Sequence, residues 1–204
     1  MIVEISEINE TNPERSPPSG WIVRFAGVIA PGGRVLDLAC GTGRHARHLA
    51  ALGHPVLAVD RDAAALATLA GVPGVDTRQV DLEAGSWPLG AERFDAIVVT
   101  NYLHRPLLPH LLAALAPNGV LLYETFGRGN EVFGRPANPD FLLAPDELLR
   151  FALDGGLTVV AFEQGATQPP QRAAVVGRLA AVGPARSWPP PLPATGAAGT
   201  SFPR

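Results

Sequence analysis

The sequence predicts an α/β protein built on a doubly wound, mostly parallel seven-stranded sheet with helices on both faces. Three observations carry that expectation. Short apolar runs without polar alternation recur along the chain, as strands buried on both faces require. Helix-forming stretches separate them at the short intervals of strand–helix–strand units. Gly and Pro, 22 and 21 of 204 residues, punctuate the joins.

Val35-Leu36-Asp37-Leu38 is the first such run, and it ends in glycines. Arg44 to Leu52 follows as a helix stopped by Gly53. Val56 to Asp60 is the second strand, and Asp62 can cap the Ala-rich helix 63–70. A third strand covers about 75–80 and a fourth runs from Phe94 to Thr100. Leu107 to Ala116 reads as a helix ended by Pro117-Asn118-Gly119, with Val120 to Glu124 as the fifth strand. Pro145-Asp146-Glu147 opens another helix, with proline and acids in its first turn. Leu157 to Phe162 and Ala173 to Val182 close the sheet across a Gly/Pro-rich loop.

Composition divides the chain into a polar arm (1–19, with Pro13, Pro17 and Pro18), a domain (20–182) and a tail (183–204). Six of the 22 tail residues are proline, and Trp188-Pro189-Pro190-Pro191 can continue neither a helix nor a central strand. The tail is therefore expected to be extended or disordered. Hydrophobic residues at 47% against 17% charged exclude wholesale disorder. All 16 basic residues are arginine, which excludes lysine chemistry: Schiff bases, a phosphate-loop lysine, a lysine general base. A net charge of -3 argues against nucleic acid as a partner. The single cysteine, Cys40, excludes an internal disulfide and a multi-cysteine zinc site, and five scattered histidines suggest no metal. No apolar run approaches the ~20 residues of a membrane span, and Met1-Ile2-Val3-Glu4 does not begin a signal peptide. The expectation is a soluble, cytoplasmic, single-domain protein; the sequence does not indicate its oligomeric state.

In such a sheet, ligands bind beyond the carboxyl ends of the strands, where strand order reverses. Strand one ends in Asp37-Leu38-Ala39-Cys40-Gly41-Thr42-Gly43 and runs straight into a helix whose free N–H groups can seat an anion. Strand two ends in Asp60, 17 residues after Gly43, about where a ribose-binding carboxylate belongs. Strand three ends in Asp81-Leu82 and strand four in Thr100-Asn101-Tyr102-Leu103-His104. Gly41-Thr42-Gly43-Arg44-His45-Ala46 also fits a dinucleotide loop, so an NAD-dependent oxidoreductase is a second reading. The acid inside strand one, the acid after strand three and the bulky Arg44 and His45 instead suit S-adenosylmethionine, which has an adenosine, a ribose diol and an amino-acid end.

Together these segments resemble class I S-adenosylmethionine-dependent methyltransferases over residues 20–182. Val35 to Gly43 is similar to that family's glycine-rich motif, with Ala39 in place of the usual first glycine. Asp60, Asp81-Leu82, Phe94-Asp95 and Leu115 to Leu121 fall where its later motifs lie. More narrowly, the chain is similar to the small bacterial tellurite-resistance (TehB-like) branch. The resemblance implies a Rossmann-like methyltransferase fold with S-adenosylmethionine as cofactor. It implies that Ala39, Gly41 and Gly43 seat the methionine end and that Asp37 positions its ammonium group. Asp60 would take the ribose hydroxyls, and Asp81 and Leu82 the adenine, with Arg61 and Asn101 beside them.

Methyl transfer chiefly needs donor and acceptor held in line with water excluded. Candidate catalytic residues lie past strands four and five: Tyr102, His104 and Glu124. His104 is either a general base or a helix-flanking histidine bonded to backbone. Arg105, Arg128 and Arg135 either bind an anionic substrate or form structural ion pairs with Glu124, Glu131 and Asp140. The long segment after Glu124 is expected to be a structured lid. Cys40 is expected to be a small buried hydrophobe, and Trp21 and Phe25 to lie on a helix as cofactor cover or as core. The expected activity is methyl transfer to a small-molecule acceptor. An oxidoreductase on the same loop and a catalytically silent cofactor-binding module are the alternatives.

Overall fold

The computed structural model describes residues 16–168 and 171–192. Seven strands form one sheet: β1 (Val35–Leu38), β2 (Val56–Asp60), β3 (Val75–Gln79), β4 (Phe94–Thr100), β5 (Leu115–Phe126), β6 (Thr158–Thr167) and β7 (Ala174–Val182). Their order is β3-β2-β1-β4-β5-β7-β6. The first five pair in parallel, and β7 inserts antiparallel between β5 and β6. Strand order reverses between β1 and β4, which opens a crevice at their carboxyl ends.

Five helices cover the sheet: α1 (Gly20–Phe25), α2 (Arg44–Ala51), α3 (Ala63–Ala67), α4 (Leu108–Ala114) and α5 (Glu147–Asp154). The two-residue period of each strand sorts side chains between two cores. Leu36, Ile97, Val99, Leu121 and Tyr123 pack against Leu111 of α4 and Leu148 of α5. Val35, Ala58, Val98 and Leu122 pack against Phe25 of α1, Leu49 of α2 and Leu66 of α3. Trp21 and Phe25 are therefore core, and the Trp21 indole N–H donates to the Leu179 carbonyl at 3.1 Å. Asp62 caps α3 as expected, accepting from Ala64 N and Ala65 N.

Several boundaries differ from the expectation. The helix read as 107–116 ends at Ala114, because Leu115 enters the sheet opposite Phe94 and its carbonyl accepts from Arg93. A register shift between Phe94 and Ala96 absorbs the Pro117-Asn118-Gly119 corner. The chain also does not leave the domain at Gly183. Gly183 N donates to Gly119 O, Ala185 N to Pro117 O, and Arg186 to the Val28 carbonyl, so these residues are tied to the Pro117-Asn118-Gly119 corner of β5 and to the turn after α1. At the other end Ser19 caps α1, so the last residues assigned to the arm belong to the body. Residues 1–15 of the arm and 193–204 of the tail lie outside the described residues.

Candidate active site

The turn after β1 alternates into the left-handed region at Ala39 (φ 53°), Gly41 (φ 55°) and Gly43 (φ 76°). Ala39 adopts that conformation at a cost of about 1–2 kcal/mol. Gly41 opens onto a cleft of about 600 Å³, and nothing lies within 4 Å of where its Cβ would be. Gly43 serves packing instead. A Cβ there would meet Leu69 at 2.4 Å, and the residue does not line the cleft it was expected to line.

Asp60, at the end of β2, fastens the turn. One carboxylate oxygen accepts from Gly41 N at 2.8 Å, and the other from Asp62 N at 3.0 Å. Each oxygen keeps a further lone pair for a hydroxyl donor. Ala39, Arg61, Asp81, Leu82, Asn101 and Tyr102 complete the lining brought together from the expected set. Asp81 accepts from Glu83 N at 2.9 Å. Asn101 ends β4 in a left-handed conformation, with its N–H donated to the Glu124 carbonyl at 2.9 Å. Cys40 lies in the cleft wall, and burial, with Asp37 and Asp60 nearby, pushes its thiol up, so it stays protonated.

Asp37 lies beneath this turn rather than in it. The strand period places it on the same sheet face as Val35, where it is fully buried, and neither oxygen has a hydrogen-bond partner. Burial pushes its carboxyl up to about 7. The Ala46 N–H and the Arg44 guanidinium temper that rise without closing a bond of ordinary geometry, and the Asp60 charge adds to it.

The candidate catalytic residues separate. Tyr102 lines the cleft, and its hydroxyl donates to Glu83 at 3.4 Å. Burial first, then Glu83, pushes the phenol up, which makes Tyr102 a donor rather than a base. His104 does not line the cleft, because the chain turns into a 3-10 helix (Arg105–Leu107) and Leu103 is the last residue of that segment to reach it. Glu124 faces a neighbouring cleft and is held by Arg178 at 2.7 Å and by the Ser19 hydroxyl at 3.0 Å. Arg105 is clamped by both oxygens of Glu147, at 2.7 and 2.9 Å, and by the carbonyls of Asp140 and Leu142. Its carboxylate partner is thus Glu147, which lies outside the expected set of Glu124, Glu131 and Asp140, and Asp140 contributes its carbonyl. Arg128 and Arg135 are exposed and line neither cleft.

The segment after β5 is a built lid. Gly127 and Leu143 close its base, and the buried Asn130 staples it by donating to Pro136 O and accepting from Val175 N. Pro136 and Phe141 reach the cleft from this lid, facing Phe126 at the end of β5.

Sequence reasoning missed His45 and the row containing Arg178. The His45 Nε2 accepts from Ser19 N at 3.1 Å, so its Nδ1 carries the proton and donates to Thr100 Oγ1 at 3.2 Å. Burial, with Arg44 and His48, holds its imidazole down to about 3, so it stays neutral. Glu124, Arg178 and Glu163 stand directly opposite one another across β5, β7 and β6. Only the strand order reveals that row. Among the described residues no group of His, Cys, Asp and Glu could hold a metal ion, and no helix is long and apolar enough to cross a membrane.

Residues 35–119 match the family model of a methyltransferase domain. No curated protein sequence matches the chain. Among solved structures, TehB from Haemophilus influenzae is similar at 21% identity and a TM-score of 0.65, covering 81% of this chain. The chain spans 62% of that protein's length. A TehB-like S-adenosylmethionine-dependent methyltransferase from Corynebacterium glutamicum is 20% identical with a TM-score of 0.60, over 82% of this chain and 89% of its own. The glycopeptide N-methyltransferase MtfA, complexed with S-adenosyl-L-homocysteine, is 22% identical with a TM-score of 0.59, over 83% and 91%. These likenesses establish the fold. The central segment, residues 35–119, is thus similar to a methyltransferase domain, on a fold shared with S-adenosylmethionine-dependent methyltransferases of known structure.

Proposed function

We propose that the protein transfers a methyl group from S-adenosylmethionine to a small, anionic acceptor. The observation that carries this reading is the 600 Å³ cleft in which the open Gly41 turn, the Asp60 carboxylate and the Asp81-Leu82 corner converge under Pro136 and Phe141. That volume lies within the ~300–1,000 Å³ range of sites for drug-sized ligands. The donor set suits the cofactor as well. The oxygens of Asp60 retain capacity for ribose hydroxyls, Asp81 can accept from an adenine amino group, and the unpaired carboxylate of Asp37 biases the turn toward a cation.

When bound, S-adenosylmethionine supplies a methyl group on a sulfonium leaving group, transferred by in-line displacement. Ala39 and Gly41 would seat the methionine end on backbone, and Asp60 would fix the ribose. The Leu82 N–H would meet an adenine ring nitrogen, with Arg61 and Asn101 flanking the cofactor. Phe126, Pro136 and Phe141 would exclude water over the transfer. Positioning of this kind can contribute about 7–11 kcal/mol to the barrier reduction. The Tyr102 hydroxyl, kept protonated, can hydrogen-bond an acceptor oxygen.

Titration calorimetry with S-adenosylhomocysteine tests the cofactor half. The intact protein is expected to bind, and Asp60→Ala to bind at least about tenfold more weakly through loss of a charged acceptor. No binding by the intact protein sinks the reading. Radiolabelled transfer into fractionated lysate tests the acceptor half. Label confined to macromolecules would refute a small acceptor, and binding without transfer to any fraction would leave a silent cofactor-binding module.

A further inference from the structure

Beside the cofactor cleft lies a second cleft of about 580 Å³, and the two share Arg44, Asn101 and Phe126. Four arginines line it, Arg24, Arg44, Arg172 and Arg178, against two glutamates, Glu124 and Glu163. Both glutamates are already engaged. Glu124 holds Arg178 at 2.7 Å, and Glu163 holds Arg24 at 3.1 Å and Arg178 at 3.5 Å.

Arg44 and Arg172 therefore have no carboxylate within ion-pair distance among the described residues. Among the described residues the side chain of Arg44 donates to the Pro17 carbonyl, at 3.3 Å. Arg44 is also the first residue of α2, where a cation opposes the helix dipole. An anion bound there offsets both the dipole and the neighbouring charge. Arginine's planar fork suits a carboxylate or a phosphate. Phe126 and Val176 add apolar wall, and the space suits an organic molecule rather than a bare oxyanion.

We propose that this second cleft seats the methyl acceptor and takes an organic acid. Arg44 and Arg172 hold its carboxylate or phosphate, its body lies along Phe126 and Val176, and its nucleophile reaches the cofactor cleft past Asn101. The assignment rests on the methyl-transfer reading. It moves the anion-binding role expected of Arg105, Arg128 and Arg135 to residues on α2 and the β6–β7 connection.

The test is calorimetric titration of the full chain, saturated with S-adenosylhomocysteine, with benzoate, phenyl phosphate, benzamide and inorganic phosphate. At least one of the two organic anions is expected to bind at least about tenfold more tightly than both benzamide and inorganic phosphate, as a charge-assisted pair predicts. The tighter organic anion tells carboxylate from phosphate ester. Arg172→Ala is expected to weaken that anion about tenfold or more while S-adenosylhomocysteine affinity stays within threefold, because Arg172 lines only the second cleft. Arg172 is exposed on the β6–β7 connection, so the variant is expected to fold. Equal binding of benzamide, equal binding of inorganic phosphate, no binding by either organic anion, or an unaffected Arg172→Ala variant would each overturn the proposal. If S-adenosylhomocysteine itself fails to bind, the methyl-transfer reading falls, and the same titrations on the cofactor-free chain still decide whether the cleft takes an anion.

Discussion

Asp37→Asn is expected to make the protein more stable at alkaline pH and to leave it nearly unaffected in acid. Asp37 is fully buried with both oxygens unpaired, and burial raises its carboxyl from 3.8 to about 7. Below about pH 4 both the folded and unfolded chains carry the proton, and the residue is neutral in the balance. Between about pH 4 and 7 the folded chain keeps the proton while the unfolded chain releases it, so stability falls as pH rises. Above pH 7 the whole penalty applies. At 1.36 kcal/mol per pKa unit, the rise from 3.8 to about 7 corresponds to about 4 kcal/mol. About 3 kcal/mol of it accumulates between pH 4.5 and pH 8. An asparagine has its own unpaired amide, but that cost does not change with pH and cancels in the difference. Urea unfolding of wild type and variant at the two pH values measures it directly. The advantage of the variant should grow by about 3 kcal/mol, or roughly 6–12 °C in melting temperature. An advantage that is the same at both pH values would refute the reasoning.

The same residue should couple cofactor binding to pH. A ligand ammonium group seated above Asp37 favours its ionised form, so S-adenosylhomocysteine affinity should fall about tenfold per pH unit below 7 and flatten in Asp37→Asn; a titration series in pH checks this. Gly43→Ala should cost about 2–4 kcal/mol, since its Cβ would press on Leu69 at 2.4 Å in a left-handed backbone. Denaturation of Gly43→Ala combined with Leu69→Ala should show a total well below the sum of the single effects. Arg178→Met alone should cost about 2–4 kcal/mol by stranding the largely buried Glu124, and Arg178→Met with Glu124→Leu should recover most of it. Thermal scans of the wild type and the two variants decide that point.

The strands were readable because a run such as Val56 to Asp60 has no polar alternation, and burial on both faces is the only home for it. The strand-end acids followed from that, since topology dictates where a parallel sheet opens. The corner of β5 was not readable. Pro117-Asn118-Gly119 announces a helix stop, but the earlier exit at Leu115 depends on Phe94 and Arg93, about twenty residues away, and on the register they impose. The two roles left open for Arg105, anion binding and a structural ion pair, could not be separated for a similar reason. Its partner Glu147 lies 42 residues on, at the start of a helix on the far side of the lid. Gly43 shows a different limit. A glycine needed for close packing and one needed for ligand approach carry the same letter, and only the position of Leu69 separates them.

The cross-strand row Glu124–Arg178–Glu163, extended to Arg24 on α1, has a consequence for how such a protein can change its substrate. The segment similar to a methyltransferase domain is contiguous, from β1 to the Pro117-Asn118-Gly119 corner of β5. The neighbouring cleft takes most of its lining from both flanks of that block, Ser19 to Arg24 on one side and Glu124 to Arg178 on the other, with Arg44 and Asn101 from the block itself, and the Arg24–Glu163 ion pair and the Ser19–Glu124 hydrogen bond join the flanks. Substitutions in the two flanks can therefore reshape what the second cleft accepts while the central block keeps its cofactor geometry. Because Arg24 answers Glu163 across the two flanks, a change at either calls for a matching change at the other end of the domain, whereas the Glu124–Arg178 pair is kept within the second flank.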